Sequence, residues 1–128
     1  MPQYMLLIYG PTGQAPSPEE MAAEMPRWTA YTESLQAAGA LRAGDALHGP
    51  ESATTVRVRD GETQFTNGPF AETKETLGGY YLIECADLDT ALGHAARMPN
   101  ITYGSVEVRP VVDFSAAPGA EEQLSASA

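Results

Sequence analysis

A β-strand arriving at Thr66 cannot run straight on, because Asn67-Gly68 readily takes up positive φ, while Pro69 fixes its own φ and restricts the residue before it. The stretch Thr66-Asn67-Gly68-Pro69-Phe70-Ala71-Glu72-Thr73-Lys74-Glu75, continuing to Gly78-Gly79-Tyr80, crowds turn residues, an aromatic ring and opposite charges together. Phe70 is thereby held on a rigid bend. Lys74, the one lysine of the chain, stands between Glu72 and Glu75, so the segment carries a local ion-pair set. Two readings follow: a loop that presents a site, or a structural turn whose Phe70 plugs the core and whose charges are solvated.

The segments on either side set the architecture. Thr54 to Arg59 alternates with period two, Asp60-Gly61 is a two-residue hairpin signal, and Thr63-Gln64-Phe65-Thr66 returns toward the bend. Tyr4 to Tyr9 is a short apolar run closed by Gly10-Pro11-Thr12-Gly13, which fits a buried central strand better than a helix. Ser17, Pro18 and Glu20 supply an N-cap, an N1 proline and a capping-box acid. The helix they open carries Met21, Met25, Trp28, Tyr31 or Thr32, Leu35 and Ala38 at helical spacing and ends at Gly39. Pro26 predicts a kink, or a short first turn with the main helix starting at Arg27. Ala40 to Leu47 reads as extended, with a loop at His48-Gly49-Pro50. Gly79 to Cys85 is a second buried strand. Asp87 to Arg97 is a helix with Leu88, Ala91, Leu92 and Ala95 on one face, stopped by Met98-Pro99-Asn100. Ser105 to Val112 alternates into a last strand. From Ser115 onward the chain is poor in large apolar groups, so the expected organisation is one domain over residues 1–114 and a mobile tail over 115–128.

This order, βαββαβ with an added β-hairpin, predicts an α+β fold: a ferredoxin-like antiparallel sheet with two helices on one face. The other sheet face must then be covered. A second copy is the simplest cover, so a homodimer burying strand residues such as Leu6, Leu82 and Val108 is expected.

The charge balance bears on partners. Only 7 basic residues face 17 acidic ones, a formal charge of −10 that opposes nucleic-acid phosphates and anionic membrane surfaces. No direct nucleic-acid or membrane partner is expected. The single cysteine, Cys85, cannot close an internal disulfide and sits in an apolar run, as a buried thiol of a cytoplasmic protein would. The amino end has no basic region followed by a long apolar core, and no run reaches membrane-spanning length.

His48 and His94 are the only histidines, which argues against a multi-histidine metal site within one subunit, and no Cys-His zinc spacing occurs. No cofactor is expected either, since Gly10-Pro11-Thr12-Gly13 lacks the lysine and the phosphate-cradling pattern. His94 stands on the second helix among small residues and reads as an exposed or partly packed helix histidine. His48 lies in Asp45-Ala46-Leu47-His48-Gly49-Pro50, where a loop at a strand end can place an imidazole beside the Asp45 carboxylate as an acid/base pair. The competing reading is a solvated surface loop. Around them, Trp28 and Phe70 can form aromatic walls, Arg57 or Lys74 can attract an anion, and Glu72 can take a proton.

Asn67-Gly68-Pro69-Phe70-Ala71-Glu72-Thr73-Lys74-Glu75 followed by Leu77-Gly78-Gly79-Tyr80-Tyr81 resembles the signature of the YCII-related family, in its DGPF-domain branch. The resemblance extends to Tyr4-Met5-Leu6-Leu7-Ile8-Tyr9, to Ala53-Thr54-Thr55-Val56-Arg57 and to Val106-Glu107-Val108-Arg109-Pro110, roughly residues 3–113. It implies a dimeric α-β barrel in which two sheets pack face to face, and a site at the motif, with Asn67, Gly68, Pro69, Phe70, Glu72 and Lys74 lining it. It also implies an association with extracytoplasmic-function sigma factors. Two departures bear on chemistry. The family's motif opens with Asp where this chain has Asn67. Many members carry a first-helix histidine paired with an acid, and here Trp28 occupies that place, where it cannot exchange a proton near neutral pH. Two functions stay open: a small-ligand-binding or regulatory module, and a cofactor-free proton-transfer or isomerising enzyme using His48 and Asp45.

Overall fold

The computed structural model describes residues 1–11, 16–69 and 74–115. The expected tail from residue 116 onward, the Thr12-Gly13 turn, and Phe70, Ala71, Glu72 and Thr73 of the motif lie outside the described residues.

The elements are β1 (Gln3–Pro11), α1 (Pro18–Ala37), β2 (Leu41–Ala46), a 3-10 turn (Pro50–Ser52), β3 (Thr54–Arg59), β4 (Glu62–Asn67), β5 (Glu75–Glu84), α2 (Leu88–Ala96) and β6 (Ser105–Pro110). Four strands form one antiparallel sheet in the order β2-β5-β1-β6, while β3 and β4 pair separately as a ribbon. This is the ferredoxin-like α+β arrangement, with the hairpin inserted between β2 and β5.

Local chemistry accounts for the element ends. Ser17 Oγ accepts from the backbone N–H of Glu20 at 3.1 Å, and Asp87 caps α2 by accepting from the Thr90 N–H at 2.9 Å. The hairpin turns through Asp60 and Gly61, both at positive φ, as a two-residue turn with the twist of its flanking strands requires. Contrary to the alternative of a short first turn, α1 runs unbroken through Pro26. Its buried stripe begins only at Trp28, because Met21 and Met25 are exposed, and Tyr31 and Leu35 make the contact with the core.

The core is a single cluster between the sheet and the helices, built from Tyr4, Leu6, Tyr31, Leu35, Ile83, Ala91, Ala95 and Met98, with Ile8, Trp28, Tyr81, Val106 and Val108 packed around it. The register explains the membership. Tyr4 lies opposite Ile83 and Leu6 opposite Tyr81 and Val108, so this parity of β1, β5 and β6 faces the helices. Leu6 and Val108 are therefore helix-facing, not on the open face expected for them. The open face carries the other parity: Met5, Leu7, Tyr80 and Leu82, with Glu107 and Arg109 on β6 and Asp45 on β2. On α2, Ala91 and Ala95 are buried whereas Leu88 and Leu92 are about half exposed, so the small side chains, not the leucines, meet the core.

The ribbon is amphipathic in an unusual sense. Val56 pairs with Phe65, and these two with Val58 share one face, exposed by 58%, 71% and 58% respectively. The opposite face carries Thr55 and Arg57, both half-buried.

Candidate functional site

The site begins with two strands drawn unusually close. A Cβ on Gly79 would stand 2.8 Å from the Asp45 carbonyl oxygen and 3.3 Å from Ala46 Cα, so only glycine lets β2 and β5 approach at this point. One residue along, Asp45 and Tyr80 are register partners on the open face, and the Tyr80 hydroxyl donates to Asp45 Oδ2 at 2.8 Å. That hydrogen bond, with the carboxylate charge behind it and partial burial, raises the Tyr80 phenol above its ordinary value. Beyond Ala46 the Leu47 N–H donates to the Gly78 carbonyl at 2.8 Å, and the chain leaves the sheet through His48.

The motif closes the base of the ribbon. Gly68 adopts φ +103, which L side chains rarely take, and with it the Gly68 N–H donates to the Ala53 carbonyl at 2.7 Å. The Thr55 hydroxyl returns a bond of 2.8 Å to the Gly68 carbonyl. Asn67 pairs with Thr54 as the last residues of the ribbon. The turn foreseen at Asn67-Gly68-Pro69 is thus a built corner. Two residues beyond Thr55 on the same ribbon face, Arg57 is half-buried, with its Nε shielded from water.

The predicted site residues divide into two groups. Asp45 is engaged by Tyr80, whereas His48 is exposed, and among the described residues no hydrogen bond or ion pair joins it to Asp45. Lys74 is exposed and makes no ion pair among the described residues, while Glu75 instead accepts from the Ser105 hydroxyl at 2.5 Å. Trp28 packs against the core, edge-on to Tyr31 with ring centroids 6.5 Å apart. Because β1-α1-β2 joins parallel strands, α1 runs back against them. Trp28, one turn before Thr32, therefore lies toward the sheet end where β2 gives way to His48. Thr32 Oγ and the Tyr81 hydroxyl share a 2.7 Å hydrogen bond that pins this side of the helix. Phe70 and Glu72 lie outside the described residues.

Tyr80 is the residue that sequence reasoning missed. Its signal was present, since it follows the glycine pair directly, but its partner Asp45 is 35 positions away and only the strand register joins them. Among the described residues no group of three or more His, Cys, Asp and Glu side chains is arranged to hold a metal ion. Cys85 is buried and its thiol pushed up by that burial, its Sγ directed at the Asp87 carbonyl, which marks a structural thiol and not a nucleophile. No helix among the described residues is long and apolar enough to cross a membrane.

Comparison with known proteins matches residues 2–115 to the model of the YCII-related domain. An uncharacterised protein of Rhizobium meliloti (strain 1021) is 53% identical over 62 residues, which is 47% of this chain and 50% of that protein. The aligned segment thus spans about half the length of the curated relative.

Proposed function

We propose, from the premise that this chain belongs to the YCII-related domain family, that it binds a small molecule without turning it over, in a cleft that the Asp45–Tyr80 pair, His48 and the Asn67-Gly68-Pro69 corner would together form. The observation that supports this reading is the two-sided ribbon: Thr55, bonded to the Gly68 carbonyl of the motif corner, and Arg57 are half-buried on one face, while Val56, Val58 and Phe65 are exposed on the other. A polar surface partly away from water is where a ligand's polar atoms gain most from a hydrogen bond. Trp28, expected as an aromatic wall, packs on the helix side of the sheet, opposite the Asp45–Tyr80 pair, and is left out of this reading; Phe70, Glu72 and Lys74 would complete the mouth. The protein acts as a cytoplasmic homodimer in this reading, and a regulatory role in sigma-factor signalling would use such a site as its sensor.

The engagement of Asp45 by Tyr80 favours binding over catalysis, because its Oδ2 is already occupied by a phenolic hydrogen bond and is not directed at a substrate proton. Fragment titration of the labelled protein, followed by amide NMR, tests the proposal. Shifts are expected at residues 45–48, 54–57, 66–69 and 78–80. Hits that map elsewhere, or none at all, would remove it. Conversion of a bound compound that is abolished in His48→Gln would replace it with the proton-transfer reading through His48 and Asp45.

A further inference from the structure

A second concavity lies on the helix side of the sheet, away from the motif corner. It is a groove of about 390 Å³ between α1 and the connection from α2 to β6, lined among others by Arg27, Tyr31, Ser34, Arg97, Met98 and Thr102. Arg27, Tyr31 and Ser34 form one stripe of α1, roughly 100° round the helix from Trp28 and Thr32, so α1 itself separates this groove from the site proposed above.

Its charge is out of keeping with the chain. Two of the seven basic residues of a protein with formal charge −10 stand at this groove. Arg27 is balanced by Glu24 at 3.2 Å and leans across to the Pro99 carbonyl at 3.5 Å. Arg97 is different. Its Nη2 lies 2.6 Å from His94 Nδ1, and since a guanidinium only donates, that imidazole nitrogen must accept, which makes the histidine neutral. Burial and the nearby guanidinium both hold His94 below its usual value, in agreement with that geometry. Among the described residues no carboxylate pairs with Arg97.

The groove is also preformed. The Tyr31 hydroxyl donates to the His94 carbonyl at 2.6 Å, tying α1 to α2. Asn100 Nδ2 donates to the carbonyls of Tyr9 and Ser105 at 3.1 and 3.2 Å, fixing the connection to the sheet. Met98 and Pro99 are buried beneath the groove and Ile101 is partly exposed at its side, so an apolar floor lies next to an unbalanced cation.

We infer that this groove binds a small organic carboxylate, with the carboxylate on Arg97, Arg27 closing from the α1 side, and an apolar body laid against Ile101. A planar guanidinium meets a carboxylate through two parallel hydrogen bonds, which is the geometry that rewards this choice of ligand. Hexanoate and its neutral isostere hexanamide are the probes, titrated into the full-length labelled protein. The chain has only two histidines, so the His94 ring resonances report directly on the groove and those of His48 on the other site. Hexanoate is expected to give saturable shifts at His94 and at the amides of residues 97–102, with His48 unmoved and hexanamide silent. Arg97→Gln should weaken binding about tenfold or more, Arg97→Lys should retain part of it, and Arg42→Gln, whose arginine pairs with Glu84 at the sheet edge, should leave it unchanged. Should Arg97→Gln fail to fold, Arg27→Gln serves in its place, with a smaller loss expected. Non-saturating shifts, an equal response to hexanamide, or unaltered binding in the folded Arg97 and Arg27 variants would overturn the inference and leave Arg97 as a cation at the carboxyl end of α2.

Discussion

Tyr80 and Asp45 face each other across the β2–β5 pair and are joined by a 2.8 Å hydrogen bond from phenol to carboxylate. The relationship gives a pH signature with a definite sign. The folded phenol titrates above the unfolded value of 10, first because of the hydrogen bond to Asp45 and then because of its charge. A group whose folded value is raised contributes stability that is complete below the unfolded value and is lost as pH rises through the folded one. Absorbance titration should therefore show Tyr80 among the late-ionising tyrosines, with Tyr4, Tyr31 and Tyr103, and Asp45→Asn should bring one of that group back toward 10. Tyr80→Phe should flatten the loss of stability just above pH 10 relative to the parent. An unchanged tyrosinate titration in Asp45→Asn would contradict the pairing.

Gly68 is the hinge of the motif corner. A Cβ there meets nothing within 4 Å, so the cost of Gly68→Val comes from its φ of +103 and not from a clash. We expect a loss of about 1–3 kcal/mol in denaturant unfolding. The exchange protection of the Gly68 N–H, which bonds to Ala53, should fall at the same time. Wild-type protection in the variant would show that the corner does not depend on this backbone conformation.

Lys74 tests whether the charges of the motif are structural. It is exposed and without an ion pair among the described residues, so Lys74→Ala and Lys74→Met should both melt within about 0.5 kcal/mol of the parent. A larger loss that Met restores would mean that the aliphatic stem packs. In fragment titrations Lys74→Ala should weaken anionic hits at the motif cleft more than neutral ones.

The homodimer is tested through the open sheet face. Leu7 and Leu82 belong to that face, so Leu82→Glu should place a charge in a subunit interface while leaving the helix-side core intact. Sedimentation should find the parent as a dimer at micromolar concentration and Leu82→Glu as a folded monomer. A parent that sediments as a monomer would refute the interface. Phe65→Ser, on the outward ribbon face, should weaken the dimer if that face also meets the partner copy.

What the sequence determined by itself was local. Ser17 as a cap, Asp60-Gly61 as a two-residue turn, and the break at Asn67-Gly68-Pro69 each depend on backbone chemistry within a few residues, and each is where it was expected. The order βαββαβ with an inserted hairpin followed from those signals, and with it the ferredoxin-like class. Which way each strand faces did not follow. Tyr4 to Tyr9 is apolar at every position, so its period-two parity carries no mark of the buried side, and only pairing with β5 and β6 turned Leu6 inward and Leu7 outward. Leu88 and Leu92 point outward for a related reason: contact between α2 and the core is made through Ala91 and Ala95, a choice of helix rotation that hydrophobicity alone would have decided for the leucines. The Asp45–Tyr80 bond and the Arg27–Arg97 groove join residues 35 and 70 positions apart, and it is tertiary packing, through strand register in one case and helix docking in the other, that brings such groups within reach of each other.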